Sequence, residues 1–110
     1  MGEPFTDINQ IKKLVKDQKV IWRNHMLARM RQRRIRIDDV INCILTGEVI
    51  EHYPLDYPYP SYLVLGRSGD NQALHVVCAV GQGRVWMIST YKPDLEHWNE
   101  DFKTRRDKKR

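Results

Sequence analysis

A histidine and two arginines at helical spacing form the first group of residues suited to chemistry. His25, Arg29 and Arg33 recur every four residues and therefore share one side of a predicted helix. Histidine can accept or donate a proton near neutral pH, and arginine presents a planar, permanently charged fork to a phosphate. Stacked like charges repel by about 0.2–0.5 kcal/mol per pair unless an anion relieves them. The stripe indicates either an anion-binding surface or an exposed basic face with a hydrogen-bonded histidine.

A second group lies farther along the chain, on two predicted β-strands. His75 offers another acid or base, Tyr91 a proton donor or a stacking surface, and Lys92 a further cation. Strict alternation predicts that His75, Thr90 and Lys92 share one face and that Tyr91 points to the other. On flat strands these groups would not all converge. A lone histidine in a strand is also more often hydrogen-bonded structure than a catalyst.

Positive charge is concentrated in two places. The formal net charge is +5, with five arginines within Arg29–Arg36 and six basic residues within Lys103–Arg110. In the Arg29–Arg36 block such clustering favours an anionic partner, either nucleic acid or an acidic protein. The basic tail is either part of such a surface or a solvated, disordered segment. The residues predicted to bind nucleic acid are Arg23, Arg31, Arg34, Arg36 and Lys92.

Positioning these residues requires helices followed by a sheet. A hairpin of Leu74–Val80 and Val85–Tyr91, joined by a glycine-containing turn, is the predicted scaffold. The other predicted elements are a helix to about Lys16 capped by Thr6 or Asp7, helices over Asn24–Arg33 and from Asp38 to Gly47, strands at Glu48–His52 and Ser61–Ser68, and a short helix at Leu95–Phe102. Val20–Trp22 is ambiguous between an extended piece and helix. The prediction is an α+β fold: N-terminal helices on a three- to four-stranded antiparallel sheet, then a short C-terminal helix. The chain is predicted to form one domain over residues 1–102, followed by a basic tail over residues 103–110.

Several classes of protein and site are disfavoured. No apolar run has the roughly 20 residues of a membrane span, and the N-terminus does not resemble a signal peptide, so a cytoplasmic location is expected. Cys43 and Cys78 are interpreted as small buried hydrophobes. Neither metal-ligand spacing nor a cofactor fingerprint occurs, so no metal or cofactor is predicted. In the proline-rich segment Tyr53–Pro60, the tyrosines either pack on prolines or stack on a nucleic-acid base.

A series of short motifs carries a family resemblance. They are His25-x-x-x-Arg29-Met30-x-x-Arg33-x-Ile35, Asp39-Val40, Gly47-Glu48-Val49-Ile50, Tyr53-Pro54, Leu63-Val64-Leu65-Gly66, Leu74-His75-Val76-Val77 and Thr90-Tyr91-x-Pro93-Asp94-x-x-x-Trp98. Over about Ile21 to Arg106 the chain resembles the bacterial family catalogued as domain of unknown function 4258. Members of that family usually have glycine where this chain has Arg34.

This resemblance implies a function that the composition does not. The family is similar to the RelE/ParE and BrnT toxins, and its genes often neighbour a small zinc-finger antitoxin of the MqsA/YgiT type. The expectation is a RelE-like toxin of a type II toxin–antitoxin pair that cleaves RNA without a metal and binds a small antitoxin. In that hypothesis His25 or His75 is the base or acid, Arg29 and Arg33 hold phosphate, and Tyr91 donates a proton or stacks. The alternatives are a non-catalytic basic binding module and a structural partner that dimerises through its hairpin edge.

Overall fold

A computed structural model describes residues 7–106 as three helices and a five-stranded mixed sheet. The helices are α1 (Ile8–Lys16), α2 (Asn24–Arg33) and α3 (Ile37–Thr46). The strands are β1 (Val20–Trp22), β2 (Glu48–Tyr53), β3 (Ser61–Arg67), β4 (Ala73–Gly81) and β5 (Arg84–Tyr91), in the spatial order β1-β5-β4-β3-β2. The α+β prediction is confirmed. No helix within residues 7–106 is long and apolar enough to cross a membrane.

The predicted sheet is wrong in strand number and in direction. The ambiguous segment Val20–Trp22 is a fifth strand, and it pairs in parallel with β5, whereas the other pairings are antiparallel. The backbone N–H of Val85 donates to the carbonyl of Lys19 at 2.9 Å, which holds the start of this pairing. Val20–Trp22 consists of β-branched and aromatic residues, which favour a strand. The segment becomes a strand only because it pairs with β5, which is distant in the sequence.

The three helices cover one face of the sheet. Ile11 of α1, Met26 of α2 and Ile44 of α3 are at most 1% exposed and pack in one apolar cluster with β4 and β5. Cys43 and Cys78 are free and buried in that cluster, as predicted. Burial raises the pKa of both thiols to about 12, so neither is a ready thiolate.

A β-bulge in the β4–β5 hairpin changes which side chains share a face. The pairing shifts by one residue at Ile88, so the alternation along β5 reverses there. Thr90 lies buried on the helix-covered face, and Tyr91 lies on the other face, directly opposite His75. The prediction that His75 and Tyr91 lie on opposite faces is therefore wrong. So is the prediction that His75 shares a face with Thr90. Period-two alternation assumes uninterrupted pairing, and nothing local in the sequence marks this bulge.

The predicted helix at Leu95–Phe102 is also wrong, because this segment is a series of turns. The side chains of Asp94 and Asp101 accept backbone N–H groups two and three residues ahead, at 2.9–3.0 Å. Such Asx turns compete with helical hydrogen bonding. The segment folds back on itself, with a bridge between Trp98 and Arg105, and buries Trp98 against the sheet.

The start of the predicted basic tail contacts β2. Lys103 forms an ion pair with Glu48 at 3.1 Å, and Arg105 forms one with Glu51 at 2.8 Å. The remainder of that tail, residues 107–110, and the candidate cap Thr6 lie outside the described residues. Asp7, the other candidate cap, accepts the Gln10 N–H at 3.0 Å.

A Schellman motif ends α2 and explains a departure from the family pattern. The N–H of Ile35 donates to the carbonyl of Met30 at 2.9 Å, and the N–H of Arg34 donates to the carbonyl of Arg31. Arg34 has φ 59° and ψ 41°, the left-handed region that glycine occupies without strain. The family's usual glycine would fit this position better than arginine does.

We therefore expect Arg34→Gly to stabilise the fold, by about 0.5–1 kcal/mol, since relief of the left-handed strain exceeds the added chain entropy. Urea unfolding measures this change. Arg31→Gly is the matched control, because it places glycine within the last helical turn and should destabilise by about 1 kcal/mol. Destabilisation by both substitutions would contradict the strain argument.

Candidate functional site

A basic cleft of about 630 Å³ opens where the ends of α2 and β5 meet the C-terminal turns. The residues that line it are Arg33, Tyr91, Lys92, Pro93, Asp94, His97, Trp98 and Arg105. Three of these are cationic side chains, and two others, Tyr91 and His97, can take part in proton transfer. The cleft therefore combines anion binding with acid–base groups.

The shortness of β1 creates room for this cleft. β1 pairs only with Val85–Met87, so within the described chain the outer edge of Ile88–Tyr91 has no neighbouring strand. The end of α2 lies beside that edge, where Nη1 of Arg33 donates to the carbonyl oxygen of Thr90 at 2.7 Å. This hydrogen bond positions the Arg33 guanidinium at the rim of the cleft.

Behind the cleft, Tyr91 is hydrogen-bonded to His75. Nε2 of His75 lies 2.8 Å from the carbonyl oxygen of Phe102, and Nδ1 lies 3.2 Å from the Tyr91 hydroxyl. Because a carbonyl oxygen can only accept, Nε2 carries the proton, and neutral His75 leaves Nδ1 as an acceptor. The Tyr91 hydroxyl therefore donates to Nδ1, and its oxygen can still accept a hydrogen bond.

The surroundings of His75 keep its ring neutral. The side chain is 0% exposed, and the Trp98 ring lies perpendicular to it at a centroid distance of 4.6 Å. Burial lowers the pKa of His75 below its ordinary value, although the hydrogen bond to Phe102 and the charge of Glu51 oppose this shift. Burial also raises the pKa of Tyr91, so its phenol is protonated at neutral pH.

A second wall of the cleft is held by a charge pair. Arg105 donates to Glu51 through Nε at 2.8 Å and through Nη2 at 3.0 Å, and the Tyr53 hydroxyl donates to the same carboxylate. The hydrogen bonding between Arg105 and Glu51 lowers the pKa of Glu51 and raises the pKa of Arg105. The guanidinium carbon also lies 4.6 Å from the Trp98 ring centroid, a cation–π distance. Arg105 is thus fixed in place although it is exposed.

At the mouth of the cleft, His97 and Asp94 form an exposed pair. Nδ1 of His97 and Oδ1 of Asp94 are 2.8 Å apart, and this hydrogen bond lowers the pKa of Asp94. Asp94, Glu96 and His97 also offer oxygen and nitrogen atoms within 4.8 Å of one another, the spacing of a cation site. Exposed clusters of this kind are common without an ion, and we assign no metal to it.

The structure brings together only part of the predicted site. Arg33, Tyr91 and Lys92 line the cleft, and His75 reaches it through Tyr91. His25 lies at the other end of α2, in a separate pocket that it shares with Arg23. The remaining predicted residues are exposed on or just after α2 and do not line the cleft: Arg29, Arg31, Arg34 and Arg36.

Residues 22–92 match the model of a family described as Domain of unknown function (DUF4258). The chain belongs to this family. No curated protein and no solved structure matches the chain. The DUF4258 match includes Arg33, His75, Tyr91 and Lys92 and stops before the turns that close the cleft.

Sequence reasoning missed the site residues that lie beyond the DUF4258 match or depend on distant contacts. His97 follows Asp94 by three residues, a spacing that lets a side chain cap the turn, and this was a usable signal. Arg105 gave no such signal, because its partner Glu51 lies 54 residues earlier. Only the folded chain distinguishes Arg105 from the other basic residues near the C-terminus.

The buried neutral His75 predicts a pH dependence of stability. In the unfolded chain a histidine binds its proton with a pKa of about 6.5, whereas in the folded protein this pKa is lower. Unfolding therefore takes up a proton below about pH 6.5, and the free energy of unfolding should fall as the pH drops through that value. Urea unfolding between pH 7.5 and 5 measures the slope.

His75→Gln should reduce this slope, because glutamine does not titrate. His52→Gln is the matched control, because it makes the same replacement at an exposed histidine. Equal slopes in the wild type and His75→Gln would contradict the assignment.

Proposed function

We propose that this DUF4258 protein is the toxin of a bacterial type II toxin–antitoxin pair, RelE-like and cytoplasmic, and that it cleaves RNA without a metal ion. The observation that carries the proposal is the hydrogen bond of the Tyr91 hydroxyl to neutral, buried His75, directly behind a cleft whose lining includes three cationic side chains. Metal-independent cleavage needs a base for the 2′-OH, positive charge for the phosphate, and an acid for the leaving group. All three types of group line this cleft or contact its lining.

The base is a two-residue relay. The 2′-OH gives its proton to the Tyr91 oxygen while the phenolic proton passes to Nδ1 of His75. The imidazolium that forms keeps its hydrogen bond to Phe102 and lies within the field of the Glu51 carboxylate. The freed 2′-oxygen then attacks phosphorus and closes a 2′,3′-cyclic phosphate.

Charge stabilisation and the acid come from the other walls. Arg33 and Lys92 bind the phosphate and offset the extra negative charge of the pentavalent transition state, while Arg105 keeps its ion pair with Glu51 and holds the wall of the cleft. His97, oriented by Asp94, is the acid that gives a proton to the departing 5′-oxygen. The products are a cyclic phosphate end and a free 5′-hydroxyl end.

Lys92→Gln tests this arrangement against a matched lysine. Purified protein is incubated with a labelled RNA pool in the presence of a chelator, and the ends are analysed. We expect wild-type cleavage with cyclic-phosphate ends and a fall of about 10- to 100-fold for Lys92→Gln, since a charged hydrogen bond contributes about 1.5–3 kcal/mol. Lys19→Gln changes an exposed lysine outside the cleft and should cleave like the wild type. Equal losses in both variants would contradict a local role for Lys92.

A non-catalytic nucleic-acid-binding module is the second candidate, and the exposed arginines of α2 favour it. Arg29, Arg31 and Arg34 form no ion pair within residues 7–106, so their charge is available to a partner. RNA that shifts on a gel, remains intact and is released steeply by salt would select this candidate over the nuclease.

The partner proposed for the toxin is a small antitoxin, acidic or of the zinc-finger type. Expression of the protein should arrest growth, and co-expression of the neighbouring gene product should relieve the arrest. Arrest that persists in Tyr91→Phe would separate toxicity from RNA cleavage.

A further inference from the structure

A second pocket, of about 500 Å³, lies farther along β5 toward its beginning. Its lining residues are Arg23, His25, Asp56, Tyr57, Pro58, Tyr59, Ala79, Trp86 and Ile88. Ala79 and Trp86 are direct partners in the β4–β5 pairing, and Ala79 alternates onto the same face as His75. The second pocket and the basic cleft therefore both open along β5, and Trp86 of the one and Tyr91 of the other lie on the face of the sheet away from the apolar cluster.

The aromatic side chains of this pocket differ in how they are held. The rings of Tyr59 and Trp86 pack with centroids 5.6 Å apart, and Nε1 of Trp86 donates to the Gly81 carbonyl at 3.0 Å, so this wall is fixed. Tyr57 is 94% exposed, which is unusual for a large aromatic ring on a small domain. The pocket thus has a packed aromatic wall and one ring free to contact a ligand.

The histidine–arginine stripe of α2 connects the two sites. His25 lines the second pocket and Arg33 lines the cleft, eight residues apart, or about 12 Å along the helix. Arg29 lies between them, exposed and without an ion pair among the described residues. A line of positive charge therefore runs from the aromatic pocket to the cleft, as a single phosphate backbone would require.

We infer that the second pocket binds a base of single-stranded RNA whose backbone follows α2 toward the cleft. Single-stranded nucleic acid combines flat rings that stack on aromatic side chains with a chain of phosphates that contacts arginine. An acidic peptide would match the charge but not the aromatic walls. The position of the cleaved phosphate in the cleft rests on the proposed function, whereas the stacking of the base does not.

Binding of an RNA that cannot be cleaved tests the inference. The probe is a labelled eight-nucleotide 2′-O-methyl RNA, which lacks the attacking hydroxyl, and its Kd is measured by fluorescence anisotropy. Tyr57→Ala should weaken binding at least about fivefold, and Tyr57→Phe should retain it, because a base stacks on either aromatic ring but not on alanine. Leu55→Ala, equally exposed in the same segment, should bind as the wild type does.

Abasic probes then locate the base. Each probe lacks one base, and the wild type should bind one of these probes much more weakly than the others. For Tyr57→Ala, removal of the base at that same position should no longer weaken binding. Uniform sensitivity, or an unchanged Kd in Tyr57→Ala, would overturn the inference. The inference would also be overturned if Tyr57→Ala weakened the binding of polyglutamate by the same factor as the binding of RNA. That result would assign the pocket to an acidic protein segment.

The outcomes separate this inference from the proposed function. Position-specific loss in Tyr57→Ala with no cleavage of unmodified RNA by the wild type supports the base pocket and refutes the nuclease. Cleavage of unmodified RNA with an unchanged Kd in Tyr57→Ala supports the nuclease and refutes the base pocket.

Discussion

Tyr91→Phe is expected to slow RNA cleavage by about 10²- to 10⁴-fold, the usual contribution of a positioned acid–base group. The substitution keeps the ring that lines the cleft and removes only the hydroxyl that joins the cleft to His75. Binding of the uncleavable RNA should therefore stay near the wild-type value. A large loss of cleavage with unchanged binding is the signature of proton transfer.

The same substitution has a predictable cost in stability. His75 is 0% exposed, so Nδ1 would lose its donor inside the protein, at about 1–3 kcal/mol. The free energy of unfolding of a domain of this size is usually about 5–15 kcal/mol, so the variant should fold. Urea unfolding checks that Tyr91→Phe is native under the assay conditions. A folded Tyr91→Phe that cleaves at the wild-type rate would refute the relay.

Trp98→Ala should have the largest effect on stability, about 3–5 kcal/mol. Trp98 is 3% exposed, its ring meets the edge of His75, and Arg105 lies over it at 4.6 Å. The substitution removes the side chain that packs the C-terminal turns on the sheet, so the wall of the cleft should be lost with it. Urea unfolding at neutral pH measures the change in free energy.

Leu95→Ala is the control for Trp98→Ala, because Leu95 lies in the same turns and is 51% exposed. It should change the free energy of unfolding by less than about 0.5 kcal/mol. If Trp98→Ala cost no more than this control, the C-terminal turns would not be part of the cooperative fold.

Local patterns were sufficient for much of the architecture. Apolar periodicity predicted all three helices to within a few residues, because that signal acts within one or two turns of the chain. Asp7 caps α1 as predicted, whereas the N-cap of α2 is Arg23 and not Asn24. The hairpin and the strands at Glu48–His52 and Ser61–Ser68 were predicted for the same reason. The resemblance that named Arg34 as the position of a family glycine agrees with its left-handed backbone.

The features that create the cleft depend on contacts between distant parts of the chain. Val20–Trp22 becomes a strand only through its pairing with β5, and the bulge at Ile88 arises in the pairing of β4 with β5. That bulge turns Tyr91 toward His75, a contact that alternation alone excluded.

The sequence by itself determined the helices, most strands, the basic charge, the family and the residue types available for chemistry. Only the tertiary structure decided which of those residues meet: Arg33, Tyr91 and Lys92 in one cleft, with His25 in another pocket. Secondary structure follows from interactions between near neighbours, which the sequence displays directly. A site follows from strand register and from turns that pack across the sheet, whose energies depend on residues many positions apart.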